Sequence, residues 1–160
     1  MTKILPKDLL DAETMAIMSI ISLLKADDCS RLSIMLKFEG LRIMPSIFRI
    51  YQSLISNNID SYIVFSDPGA TALAKKDSPN YTNSIFSFKD LIKQDENQYE
   101  DKLLIAVTPR HFDYEEFEEL SLKHLGKILM VNGRLEDPAV GIGSVGRERR
   151  KNFINSWSCC

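Results

Sequence analysis

Three short, unbroken apolar runs limit what this chain can fold into: Tyr62–Phe65 (YIVF), Leu103–Val107 (LLIAV) and Ile128–Val131 (ILMV). A strand that is apolar without alternation has to be covered on both faces, as the inner strands of a parallel sheet are. Two further segments fit the same sheet. Arg31–Phe38 alternates, with Leu32, Ile34, Leu36 and Phe38 on one side, and Ser84–Phe88 is a short third strand in chain order.

The segments between these strands carry helical spacing. Pro6 suits a first turn, and a helix is predicted from about Asp8 to Lys25, with apolar residues on more than one face. Such a helix is either sandwiched in the core or awaits a partner, and core packing is the preferred reading. Ile47, Ile50, Tyr51, Leu54 and Ile55 predict a second helix, starting near Pro45 and stopped by Asn57-Asn58. Asp67-Pro68-Gly69 leads into a short helix over 70–76, and 89–100 reads as a polar helix or loop. Asp113 with Glu116 has the form of a capping box, and Gly126 of a helix stop. A last helix is predicted near Gly146, with Phe153 and Trp157 turned inward. Strands alternating with helices imply an α/β fold, Rossmann-like: a three-layer, mostly parallel sheet of about five strands with helices on both faces, in a single domain over 1–160.

Hydrophobic residues make up 44% of the chain and charged residues 26%, which excludes disordered and collagen-like classes. The longest apolar stretch, Met15–Leu24, is about half a membrane span. The net charge of −2 provides no global field for nucleic acid. Cys29, Cys159 and Cys160 read as free thiols in a reducing compartment, and two histidines are too few for a zinc site. The N-terminal MTKILPKDLLDAE has the pattern of neither a signal nor a transit peptide. No cofactor, no metal and no nucleic-acid partner is expected.

Ligands of open α/β sheets bind beyond the carboxyl ends of the strands. There the sequence offers Asp67, Arg110 and Asn132 as candidates for a small anionic-ligand or carboxylate site, set against ordinary turn chemistry. Gly69 in the first of these turns is expected to need a backbone conformation that alanine tolerates poorly. Gly141-Ile142-Gly143-Ser144-Val145-Gly146 matches G-x-G-x-x-G, but no strand feeds it directly and no acidic ribose partner can follow. Gly141 and Gly143 therefore read as a flexible loop, with a phosphate-holding nest as the alternative. The run Glu115, Glu116, Glu118, Glu119 reads as a solvated face. Arg147, Arg149, Arg150 and Lys151 form the basic cluster. It is either a charged helix start or a contact for anionic lipid or an acidic partner, since cations at a helix N-terminus oppose the macrodipole.

Four stretches resemble a domain family of unknown function found in cyanobacteria and chloroplasts. They are Leu5-Pro6 through Ala16; Asp67-Pro68-Gly69-Ala70-Thr71-Ala72-Leu73-Ala74-Lys75; Asn132-Gly133-Arg134-Leu135-Glu136-Asp137; and Gly141-Ile142-Gly143 through Arg147-Glu148-Arg149-Arg150 to Phe153. That family includes the plant Low Photosystem II Accumulation assembly factor and the C-terminal region of a chloroplast adenylate kinase-like protein. The resemblance implies a non-catalytic, chaperone-like role in assembling photosystem II core subunits, with a photosystem or thylakoid membrane protein as partner. It implies a cytoplasmic location, peripheral at the thylakoid surface. It supplies no catalytic residues. Family members usually continue past Trp157 with a tyrosine-rich tail, which is expected to be lacking here, and Asn132-Gly133-Arg134 stands where an Asn-Pro-like turn is usual. The alternative function is a nucleotide- or phosphate-binding enzyme or sensor using the strand-end loops.

Overall fold

The computed structural model describes residues 5–27, 29–94, 101–136 and 144–159. The elements run α1 (Leu9–Ala26), β1 (Arg31–Ile34), α2 (Ile43–Ser56), β2 (Ser61–Phe65), α3 (Pro68–Asp77), β3 (Ile85–Ser87), α4 (Phe88–Lys93), β4 (Leu103–Val107), α5 (Tyr114–Lys123), β5 (Ile128–Val131), α6 (Ser144–Asn155) and β6 (Ser158–Cys159). The strands form one sheet in the order β3-β2-β4-β5-β1-β6, and every pairing is parallel. The α/β, Rossmann-like expectation holds, with helices on both faces.

The strand alternation sorts the core into two layers. Leu103, Ile105 and Val107 of β4 and Leu129 and Val131 of β5 face α1, α2 and α3, where Ile20, Ile47, Ile50, Leu54 and Ala74 are buried. Leu104, Ala106, Ile128 and Met130 face the other way, onto Phe88 and Leu91 of α4, Tyr114, Phe117 and Leu120 of α5, and Phe153 of α6. Connections running toward the β3 edge put helices on the first face. Those running back toward β6 put theirs on the second. One uniform hand of crossover requires this division. It makes β1 and β5 neighbours whose outgoing loops leave toward opposite faces, and so a crevice opens at their carboxyl ends.

Several local expectations are corrected. A sixth strand, β6, pairs with β1 in addition to the five expected. β1 stops at Ile34, four residues short of Phe38. Asp113 makes no side-chain cap for α5. Its carboxylate accepts instead from Arg110 N (2.9 Å) and closes a single 3-10 turn over His111–Asp113. α5 ends at Lys123 with an extended, buried His124, before Gly126 is reached. α1 is covered on one side only, with Leu10 60% and Met18 67% exposed. Its inner side carries the buried Glu13, which accepts from Arg49 Nε and Nη2 and from Ser46 Oγ of α2, each at 2.6 Å.

Candidate functional site

At the carboxyl ends of β1 and β5 lies a crevice of about 700 Å³. Met35, Met130, Leu135, Ile154 and Trp157 give it an apolar wall, and Ser33, Arg110, His111, Arg134 and Glu136 give it polar groups. A second cleft, of about 520 Å³, opens where Leu24, Lys102 and Lys127 meet, and its Lys102 is ion-paired to Asp60 at 2.9 Å. The first is the better candidate, because the sheet topology places it where α/β ligands bind.

The backbone around the crevice is built by two residues with positive φ, Thr108 (46°) and Asn132 (50°). Thr108 N donates to Val131 O at 2.8 Å, and Asn132 N donates to Ile34 O at 2.9 Å. The Asn132 side chain then continues the ladder that β1 abandons. Its Oδ1 accepts from Leu36 N at 2.7 Å and its Nδ2 donates to Leu36 O at 3.1 Å. Asparagine suits this place twice over, since it tolerates the left-handed region and its amide can mimic a peptide group. Asn132→Ala removes both bonds and adds a strained φ. It is expected to lower stability by about 2 kcal/mol, read as a shift in the urea midpoint.

Past Asn132, Gly133 lies against Met130: a Cβ on it would come 2.7 Å from Met130 Cγ. Glycine here lets the Met130 side chain lie across the crevice floor. Arg134 N donates to Pro109 O at 2.8 Å, and Arg110 and Arg134 form a parallel β-bridge. Two loops are thereby held together with an arginine from each facing the same space.

The apolar wall is backed by aromatic rings. Phe117 stacks on Trp157 (5.4 Å between centroids) and on Phe88 (5.5 Å), and meets Phe153 edge-on at 5.9 Å. The Arg31 guanidinium sits over Phe153 at 5.1 Å and over Trp157 at 5.9 Å, and donates to Ser156 Oγ at 2.8 Å. The indole N–H of Trp157 is buried without an acceptor among the described residues.

The basic cluster on α6 is partly answered by α5. Arg149 pairs with Glu118, whose other oxygen accepts from the Tyr114 hydroxyl, and Arg150 lies over the Tyr114 ring at 4.3 Å. Glu118 is only 5% exposed, so this member of the acidic run is a buried counter-ion and not part of a solvated face. Burial, reinforced by the Glu118 carboxylate, pushes the Tyr114 phenol up to about 12. Acid from α5 and an aromatic face thus offset the unfavourable placement of cations at the start of α6. Arg147 and Lys151 are exposed on the same helix.

The other candidates lie elsewhere. Asp67 caps α3, its carboxylate accepting from Gly69 N (3.1 Å) and Ala70 N (3.2 Å). Gly69 has no positive φ, which corrects the expectation of an unusual backbone. It occupies the first turn of α3, where a Cβ would stand 3.2 Å from Asp67 Oδ2. Gly141 and Gly143 lie outside the described residues. Of the named residues, Arg110 lines the crevice and Asn132 shapes its edge. Arg134 and Trp157 line it without having been singled out for it. Among the described residues no group of three metal-ligating side chains occurs, and no helix is long and apolar enough to cross a membrane.

An all-parallel sheet sandwiched by helices, with a cleft at the strand ends, defines an α/β domain of the Rossmann-like class. Residues 6–160 match the model of the family described as Domain of unknown function (DUF1995), and the chain belongs to that family. No curated protein matches it.

Proposed function

We propose that the chain is a non-catalytic binding factor that works through the β1/β5 crevice and serves the assembly of photosystem II core subunits at the thylakoid surface. The observation that carries the binding reading is the crevice itself. It joins an apolar wall to cationic and hydroxyl groups at the end of the sheet where recognition loops converge. Support for the photosystem partner comes from the four stretches of resemblance. The exposed Arg147 and Lys151 add a surface suited to an anionic leaflet, where each basic residue contributes roughly 1 kcal/mol.

The test is capture by the immobilised full chain from detergent-solubilised cyanobacterial thylakoids, with mass spectrometry. Photosystem II core subunits are expected on the wild type and are expected to be lost on Met35→Glu, which puts a charge on the crevice wall. Equal capture by both would move the binding surface away from the crevice, and absence of core subunits from the wild-type fraction would overturn the partner. A second reading, a sensor of a small anionic ligand, is favoured by the two arginines alone.

A further inference from the structure

We infer that the crevice is a carboxylate site, in which Arg110 and Arg134 close on the anion and the apolar wall takes the body of the ligand. This rests on the crevice being the working surface and is independent of the partner's identity.

The two arginines are direct partners across a β-bridge. Residues so paired carry their side chains on the same side of the sheet, roughly 5 Å apart, and like charges in that relation repel. Both residues are exposed, so solvent screens part of this repulsion. Among the described residues neither guanidinium has a hydrogen bond or an acid within ion-pair distance. Asp113, the nearest acid in sequence to Arg110, spends its carboxylate on the Arg110 backbone N–H. Glu136 shares the crevice without pairing to either arginine. The contrast with α6 is instructive, because there Arg149 has Glu118 and Arg150 has a ring face. Two guanidinium forks without an acidic partner among the described residues, rooted side by side on one bridge, suit the grip of a planar carboxylate.

The surroundings choose among anions. Glu136, which shares the crevice, offsets part of the pull that the two arginines exert on a dianion such as phosphate. Met35, Met130, Leu135, Ile154 and Trp157 favour an apolar group beside the charge. The volume suits a ligand well above the size of an inorganic ion. A free organic acid and the C-terminus of a polypeptide both present this chemistry.

Trp157 is the single tryptophan of the chain and lines the crevice, so its fluorescence reports occupancy. The wild-type chain is titrated at low salt with hydrocinnamate, with acetyl-leucyl-phenylalanine bearing a free C-terminus, with the amide of each, and with inorganic phosphate. Saturable binding is expected for at least one free carboxylate. It should weaken about tenfold or more in the corresponding amide and in Arg110→Gln or Arg134→Gln, the loss typical of a hydrogen bond to a charged group. Hydrocinnamate alone would mark a free acid as the source, and the dipeptide alone a chain terminus. Tighter binding of phosphate than of either carboxylate, or no saturable response to any probe, would overturn the proposal while leaving the thylakoid capture result untouched. A second measurement needs no ligand: Arg134→Gln should raise the Tm at low salt by about 1–2 °C, because it removes a repulsion. A fall would mean that the guanidinium is already compensated within the chain, and would equally overturn it.

Discussion

Phe117→Ala is expected to destabilise the protein by about 4 kcal/mol, a large share of the 5–15 kcal/mol that folded domains typically have. Phe117 is fully buried on α5 and touches the rings of Phe88, Phe153 and Trp157, so it joins α4, α5 and α6 into one layer. Truncation removes its own burial and also leaves a cavity that three helices and the sheet would have to move to fill. Chemical denaturation followed by circular dichroism gives the loss, and Phe117→Leu should recover more than half of it by restoring volume. Trp157 fluorescence should change in the folded variant as well, because the ring stacked behind it is gone. A loss below about 1.5 kcal/mol would show that the layer collapses freely around the gap and that its rings are not closely packed.

Glu13→Ala is expected to cost about 3 kcal/mol. Glu13 is 2% exposed and holds α1 against α2 through Arg49 and the buried Ser46 hydroxyl. Removing the carboxylate strands both partners, whereas Glu13→Gln preserves shape and some hydrogen bonding and should cost less. The pH dependence has a definite sign. The Arg49 hydrogen bond, with help from Ser46 and from the guanidinium charge, holds the Glu13 carboxyl below its ordinary value against the opposing effect of burial. A lowered native pKa means that the contribution is fully present above the unfolded pKa and is lost as pH falls through the native one. The stability difference between wild type and Glu13→Gln should therefore be constant near neutrality and shrink below pH ~4.3. A difference that grew on acidification would contradict the pairing.

The sheet was legible because β2, β4 and β5 need no partner to identify them: an unbroken apolar run has few other uses. β6 carried no such signal. Two residues form it, and they are extended because β1 offers an edge, not because of their own propensity. The start of α5 is ambiguous in sequence for a related reason. Asp113 could bond forward into α5 or back to Arg110, and the 3-10 turn decides for the latter. Glu118 lies in an acidic run that suggests a solvated face, and the arginine that α6 brings up, with the Tyr114 hydroxyl, explains its burial. The crevice divides in the same way. Arg110 followed from the rule that strand ends carry ligands. Arg134 becomes its neighbour only through a bridge between two loops distant in sequence.

The strand order also sets a timetable for synthesis. β1 is made before the other strands of this sheet, yet both of its neighbours, β5 and β6, come after all the rest of them. Until residues 128–131 emerge, β1 has no edge to join, and the apolar side of α1 and α2 has only part of the sheet to cover it. β2, β3 and β4 are contiguous in the sheet and can assemble earlier as a half-built nucleus. The nascent chain thus carries an unpaired β1 until β5 has been made, and closure of the long loop between them is an entropic step that local contacts cannot shorten. Binding by chaperones during synthesis should concentrate on α1, β1 and α2 and be released once β5 is available.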